Sequence, residues 1–457
     1  MENVLEREIG SRLDSVPFGK FHLSITIILA LVGFLEAYES AVTGGLVVSA
    51  GPALHLTQLQ LRWLVIAPTI SIVISVFVGS LISDRISRKT ILLVGVTWTC
   101  FFVLVTSFVN SGMALIVVRV ISGFGFGLAL PAAYPIGTEL LPARHRSTFG
   151  WIYEIFLGTG FTLTSVIGLI FANVQQGWRF LPVPGAIMFF FLPLLIYYRI
   201  PESPRWLLSR GKSKEAIKVL NTILEKAGCA GASLSEPTKA VAGGVPEKRE
   251  EVPGFASLFA RGHAQRTIIA ILVYTCGAVP FYIFSTLFPA IMVAHGFVLV
   301  KSFAFAIVLF VVTIPGKFIN GILMERLGRV ITIAIALLSG VVATGLIMLS
   351  SNSVVLIIAE VILGLTVLSS WPSIRVYMTE QFPTALRGRG YFLGECVGRF
   401  IGGIPIPFIL AGYVKQPNVI YSVVLVFIII GGLTPLLAGV DTRGQLELVT
   451  PANEKSI

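Results

Sequence analysis

The chain places ionisable side chains where ionisation is expensive. Glu36, Glu39, Arg119, Lys317, Arg375, Glu395 and Arg399 all interrupt long apolar runs. A charge at bilayer depth costs on the order of 3 kcal/mol or more, so each is a functional candidate by default. Glu36 and Glu39 are three residues apart and share roughly one helix face. Glu395 and Arg399 are four apart and can pair with each other. A carboxylate in a dehydrated cavity can load and release a proton as a neighbouring arginine approaches and withdraws. An arginine can also hold a carboxylate ligand in a two-pronged fork. At Arg375 this leaves two readings: an anion-binding group, or a structural partner of Glu360 or Glu380.

The elements that must position these groups are membrane-spanning helices. Of 457 residues, 55% are hydrophobic and only 12% charged, about half the charge of a soluble domain. The mean hydropathy is +0.88. A helical span needs about 20 mostly apolar residues, and such runs fall near 23–48, 62–82, 91–109, 113–138, 148–171, 180–199, 267–293, 302–323, 330–350, 354–379, 389–412 and 418–439. They are too long for barrel strands and do not alternate, so helices are expected. The expected fold class is all-α integral membrane, with twelve spans in two six-helix halves. The halves are 1–200 and 267–440, the intervening cytoplasmic loop is 201–266, and the tail is 441–457. Within the loop, Ser203 to Gly228 reads as one amphipathic helix with Trp206, Leu207, Ile217, Leu220 and Ile223 on its apolar face. Cys229 to Pro253 reads as a flexible linker.

The net charge of +11 is concentrated in short clusters between apolar runs, which fits cytoplasmic loops and not a nucleic-acid surface. With the N-terminus inside, Arg62, Arg179, Lys301 and Lys415 alone fall outside or at an outer edge. Arg119, Lys317, Arg375 and Arg399 fall within spans, and the other 26 of 34 basic residues are inside. Both termini are then expected to be cytoplasmic, in a plasma or inner membrane. Met1 to Lys20 has no cleavable signal pattern. Four scattered cysteines and five histidines form no metal or disulfide pattern, and no phosphate-binding glycine loop appears. No metal or cofactor is expected, and neither an enzyme nor ATP-driven transport is indicated.

A shift of 241 residues superimposes several features. Asp84, Arg85 and Arg88 land on Glu325, Arg326 and Arg329. Glu139 lands on Glu380, Arg146 on Arg387, and Glu154 on Glu395. Repeats of this kind mark transporters whose halves rock about a midplane site. The repeated acids and bases at helix junctions are candidate gating groups, since a bistable contact must hold one state and yet break. Glu154 and Glu395 each follow a loop arginine by eight residues and are assigned to the same gate. The glycines of RVISGFGFG (119–127) permit close helix approach.

GSLISDRISRK (79–89) resembles the loop motif between spans 2 and 3 of the major facilitator superfamily. RVISGFGFG, Glu139 to Arg146, PESPRWL (201–207) and DTRG (441–444) resemble its sugar-porter and metabolite–proton symporter branch. The resemblance implies that the charged junctions lock the cytoplasmic side. It also implies that Glu39, beside Tyr38, matches the coupling acid of span 1, and that Arg119 matches the arginine that pairs with it. Glu36 is a second candidate acid; a static pair between spans 1 and 4 is the alternative reading of Glu39 and Arg119. WPSIRVY (371–377) corresponds to a cavity-lining stretch of span 10, with Arg375 near the position of a tryptophan.

The chain departs from sugar porters in span 5 and in YTCGAVPFYIFST (274–286) of span 7, which lack the expected Gln and Asn residues. A hexose needs many hydrogen-bond partners. Tyr38, Tyr134, Tyr282, Trp371 and Tyr377 suit a smaller, flatter ligand, although each aromatic alone also suits packing. The expected function is alternating-access, proton-coupled symport of a small organic anion, an aromatic or sugar-derived carboxylate, with the proton as coupling ion. The expected partners are the small-molecule substrate and the lipid bilayer, and the expected state is a monomer. A neutral sugar or polyol carrier is the alternative. A non-transporting nutrient sensor of the same fold is a further one, against which stand the roughly 18 residues after the last span, few for a signalling tail.

Overall fold

The computed structural model describes residues 2–82, 86–229, 255–260, 263–382 and 384–441. Among the described residues, twelve helices are long and apolar enough to cross a membrane. Spans 1 to 6 are Lys20–Ala53, Gln58–Gly79, Arg88–Thr106, Gly112–Leu140, Thr148–Phe171 and Gly177–Arg199. Spans 7 to 12 are Ala264–Ala294, Leu299–Leu327, Arg329–Leu349, Ser353–Glu380, Arg389–Tyr413 and Pro417–Ala438. All twelve expected runs are present. Several helices outrun them because the backbone ladder continues past the apolar stretch, as at Lys20 and His22 of span 1.

Packing follows the repeat. Span 1 packs on span 5 and span 7 on span 11; span 2 packs on span 4 and span 8 on span 10; span 3 packs on span 6 and span 9 on span 12. The halves meet where span 1 touches span 7, span 5 touches span 8, and span 2 touches span 11. Close approach needs glycine, as expected for span 4. A Cβ on Gly123 would stand 2.3 Å from the Pro68 carbonyl oxygen of span 2. Between the halves, a Cβ on Gly44 would stand 2.9 Å from the Thr286 carbonyl oxygen of span 7.

Span 10 is broken. Its first part, Ser353–Leu365, ends before a 3-10 turn at Leu368–Ser370, and helix resumes at Trp371–Glu380 with Pro372 in its first turn. Proline cannot donate to the preceding turn. The carbonyl of Leu365 that the break frees accepts hydrogen bonds from Asn320 Nδ2 (3.3 Å) and from Ser369 Oγ. Non-helical backbone at membrane depth is tolerated where protein satisfies it. The break sets the direction of Trp371 and Arg375.

The single helix expected over Ser203 to Gly228 is two, Pro204–Ser209 and Ser213–Lys226. Gly211 between them adopts φ +70°, a left-handed conformation that glycine takes without steric cost. The expected apolar face is the buried one: Leu207, Ile217, Leu220 and Ile223 are buried, and Trp206 is partly so. A further helix, Glu2–Ser15, packs on both. Apart from Cys229 itself, the expected linker Cys229 to Pro253 lies outside the described residues.

Candidate functional site

The intramembrane charges form two separate constructions. The first lies within the N-terminal half. Glu39 of span 1 pairs with Arg119 Nη1 of span 4. Arg119 Nη2 also donates to the Glu39 carbonyl oxygen (2.8 Å) and to Thr43 Oγ1 (2.9 Å). Arg119 is 0% exposed. A guanidinium so enclosed is tolerable only because a carboxylate and two further oxygens surround it.

The second construction crosses between the halves as a line of alternating charge. Glu36 of span 1 faces Arg399 Nη2 of span 11 at 3.5 Å. Arg399 Nε lies 2.7 Å from Glu395 Oε2, and its Nη1 donates to the Tyr282 hydroxyl at 3.2 Å. Glu395 Oε1 accepts from the Tyr391 hydroxyl at 2.7 Å and faces Arg375 Nε at 3.5 Å. Arg375 Nη1 lies 3.6 Å from Glu154 of span 5. Glu154 closes the line on Lys317 Nζ of span 8 at 2.6 Å. Among the described residues, three ion pairs of this line bridge the halves: Glu36–Arg399, Glu154–Arg375 and Glu154–Lys317.

A cavity between the halves joins the two constructions. Glu36, Glu39, Arg119, Tyr282, Thr286 and Arg399 line it, together with hydroxyls of Ser40, Thr43, Thr69, Thr99 and Ser122; no amide side chain does. Outside that lining Trp371 stacks on Phe281, with ring centroids 5.0 Å apart and 18° between planes. The Arg375 guanidinium lies 5.5 Å from the Trp371 ring. The lining therefore offers two guanidiniums, two carboxylates and a row of hydroxyls, and neither Trp371 nor Arg375, both expected to bind substrate, is part of it.

The other expected aromatics have different places. The buried Tyr38 donates its hydroxyl to the Leu181 carbonyl oxygen at 2.6 Å and ties span 1 to span 6, away from the cavity. Tyr377 is buried with its hydroxyl against Gly439, at the end of span 12. Tyr134 is 45% exposed and stands edge-on to Tyr153 (5.9 Å), whose hydroxyl lies 3.5 Å from Glu36 Oε2. Neither structural partner foreseen for Arg375 is its partner. Glu380 instead takes a two-pronged pair with Arg329, at 2.8 and 2.9 Å. Glu360 is fully buried, and neither carboxylate oxygen has a hydrogen-bond partner among the described residues.

The gating groups divide likewise. Arg88 pairs with Glu139 and Arg329 with Glu380, repeat-equivalent pairs related by the 241-residue offset. Each joins consecutive spans of one half, so neither clamps the halves together. Glu154 and Glu395 belong to the line through the cavity region, and through Glu154 that line does bridge the halves. Glu325 and Arg326 are exposed at the end of span 8. Asp84 and Arg85 lie outside the described residues, as do the side chains of Arg146 and Arg387. Sequence reasoning noted Lys317 as an intramembrane base without assigning it a role, and gave Arg399 only its neighbour on the helix. The rule that made Glu39 a candidate applies equally to both. Tyr153, Tyr391 and Asn320 gave no signal that singles them out.

The Major Facilitator Superfamily model matches residues 29–407. The niacin transporter NiaP of Acinetobacter baylyi is 24% identical over 442 residues, covering 96% of this chain and 98% of that one. The gallate transporter of Pseudomonas putida is 24% identical over 400 residues, covering 86% of each. The inward-open structure of the xylose transporter XylE from E. coli aligns over 93% of this chain and 98% of that one, with TM-score 0.74 at 18% identity. With its twelve spans, its repeated halves and this match over most of its length, the chain belongs to the Major Facilitator Superfamily and is a membrane transporter, not an enzyme.

Proposed function

We propose that the protein carries a small organic anion together with a proton, by alternating access across a plasma or inner membrane with both termini cytoplasmic. The observation that carries this reading is the charge balance of the site. Glu36, Glu39, Glu154 and Glu395 face Arg119, Arg375, Arg399 and Lys317, and every one of these groups is paired. A carboxylate entering this balanced, poorly hydrated cluster leaves one buried negative charge uncompensated, which is strongly unfavourable. A proton taken up with it restores neutrality. Glu39 is the acid proposed to take that proton, since protonation weakens its pair with Arg119 and the ionised form restores it.

The ligand class follows from the walls. Arg119 and Arg399 of the lining can hold a carboxylate, its Phe126 and Tyr282 rings suit a flat ligand, and it lacks the amides that a neutral sugar needs. Niacin and gallate, named for two relatives, are aromatic carboxylic acids; sugar-derived acids share the same anionic handle.

The test is uptake into proteoliposomes across a panel of aromatic acids, sugar acids and neutral sugars, with and without an inward proton gradient. Gradient-stimulated uptake of an acid, with the stimulation abolished in Glu39→Gln, is expected. Uptake of a neutral sugar alone, or acid uptake indifferent to the gradient, overturns the reading.

A further inference from the structure

The guanidinium best placed to hold a substrate carboxylate already holds one of the protein's own. Two edges of Arg399 are fixed by its own half: Nε lies 2.7 Å from Glu395, and Nη1 donates to Tyr282 at 3.2 Å. The remaining nitrogen, Nη2, faces Glu36 Oε1 at 3.5 Å from the other half. The second oxygen of Glu36 is just as loosely held, 3.5 Å from the Tyr153 hydroxyl. Glu36 and Arg399 both line the cavity between the halves. The Glu36–Arg399 contact is thus longer than the Glu395–Arg399 contact, open to a ligand, and one that rocking of the halves must make and break.

A symporter has a second requirement besides carrying its load. The empty carrier must also pass through a closed state to return, and closing over an unpaired guanidinium leaves a buried charge uncompensated. We propose that Glu36 is an internal stand-in for the substrate carboxylate: it occupies Arg399 Nη2 in the empty carrier, and the incoming anion displaces it. This rests on the reading that the substrate is an anion. The exchange balances charge, because one carboxylate replaces another on Arg399 and the proton on Glu39 offsets the added negative charge. The charged and polar groups that face Glu36 here are Arg399, Arg375, Glu395, Glu154 and the Tyr153 hydroxyl.

The stand-in predicts a split that a purely structural residue does not give. In Glu36→Gln the internal competitor is gone, so a bound anion holds about tenfold tighter if the pair occupies the site some nine-tenths of the time. Exchange of anion for anion never visits the empty return step and continues. Net proton-driven uptake needs that step and falls by about tenfold or more. The experiment uses full-length protein in proteoliposomes, with nicotinate and gallate as probes, and measures equilibrium binding, counterflow and net uptake side by side. Glu36→Asp, shorter by one methylene but still charged, is expected to be intermediate in binding and in net uptake. Glu36→Gln with wild-type net uptake, or with counterflow and net uptake lost together at unchanged affinity, overturns the stand-in. A wild-type protein that neither binds nor exchanges the two acids overturns the anion reading itself, and this inference with it; that failure is seen in the wild-type arm and the other in the variant arm.

Discussion

Glu36 and Glu39 stand one helical turn apart on span 1 and belong to different machines. Glu39 is enclosed with Arg119 inside one half, with two contacts to that guanidinium, which Thr43 joins with a third. Glu36 reaches across to the other half and touches Arg399 at the limit of hydrogen-bond distance. The same contrast runs through the molecule. Arg88–Glu139 and Arg329–Glu380 are internal to their halves, whereas Glu154–Lys317 and Glu154–Arg375 join them. In a carrier whose halves move as bodies, internal pairs stiffen a half and can survive the cycle, but bridging pairs must be remade at every turn. Of the bridging contacts, Glu36–Arg399 and Glu154–Arg375 are loose, at 3.5 and 3.6 Å, and suit repeated breaking, whereas Glu154–Lys317, at 2.6 Å, is as short as an internal pair and holds the present closure of spans 5 and 8.

The largest effect tests the internal class. Arg119→Leu leaves the Glu39 carboxylate buried without its partner and is expected to destabilise the protein by about 3–5 kcal/mol. This would be read as a lowered thermal midpoint in detergent. The double variant with Glu39→Met removes the stranded charge and is expected to recover most of that loss; no recovery would show that the pair does not act as one unit.

A smaller effect tests the bridging class. Lys317→Met strips one partner from Glu154, which keeps Arg375 at 3.6 Å. The expected stability loss is therefore only about 1–3 kcal/mol, and the larger consequence is a loosened closure between spans 5 and 8. Alkylation of a reporter Thr286→Cys in the cavity is expected to speed up severalfold, because the closed population falls. An unchanged rate together with a stability loss equal to that of Arg119→Leu would erase the distinction between the classes.

The smallest effect concerns Glu360, the repeat position of Arg119. No hydrogen bond to either carboxylate oxygen is present among the described residues. Replacing a lone buried polar group by an apolar one of similar shape is neutral or stabilising. Glu360→Met is therefore expected to hold or raise the thermal midpoint and to leave uptake unchanged. A marked fall in either would mean that the C-terminal half also relies on a buried acid, and that the chemistry is less divided between the halves than the pairing indicates.

Much of the candidate site was legible residue by residue. Glu36, Glu39, Arg119 and Arg375 stood out because charge inside an apolar run is costly wherever the fold takes it. The 241-residue offset put Arg88 and Glu139 in register with Arg329 and Glu380, and the structure joins each pair. The partners were harder to read. Glu139 and Arg88 appeared in the sequence only as separate members of the gating groups, yet the two meet across the interface of spans 3 and 4. Tyr38 and Tyr377 carry the same side chain as Tyr282, but only Tyr282 faces the cavity. The side of its helix on which a tyrosine lies depends on neighbours that its own segment does not contain.

The sequence by itself determined twelve helices, their duplication and the identity of the buried charges. Bilayer thickness and the need to satisfy every backbone hydrogen bond inside the segment leave no other spanning structure for such runs. Only the tertiary structure decided that Glu36 pairs with Arg399, 363 residues away in the chain, and that Glu154 meets both Lys317 and Arg375. Ion pairs form between groups that helix packing brings within a few ångströms, and that packing depends on glycine contacts such as Gly123 on Pro68 and on the break in span 10, which aims Arg375. The cost of burying charge is a local property of the chain; which opposite charge relieves it is a property of the assembled bundle.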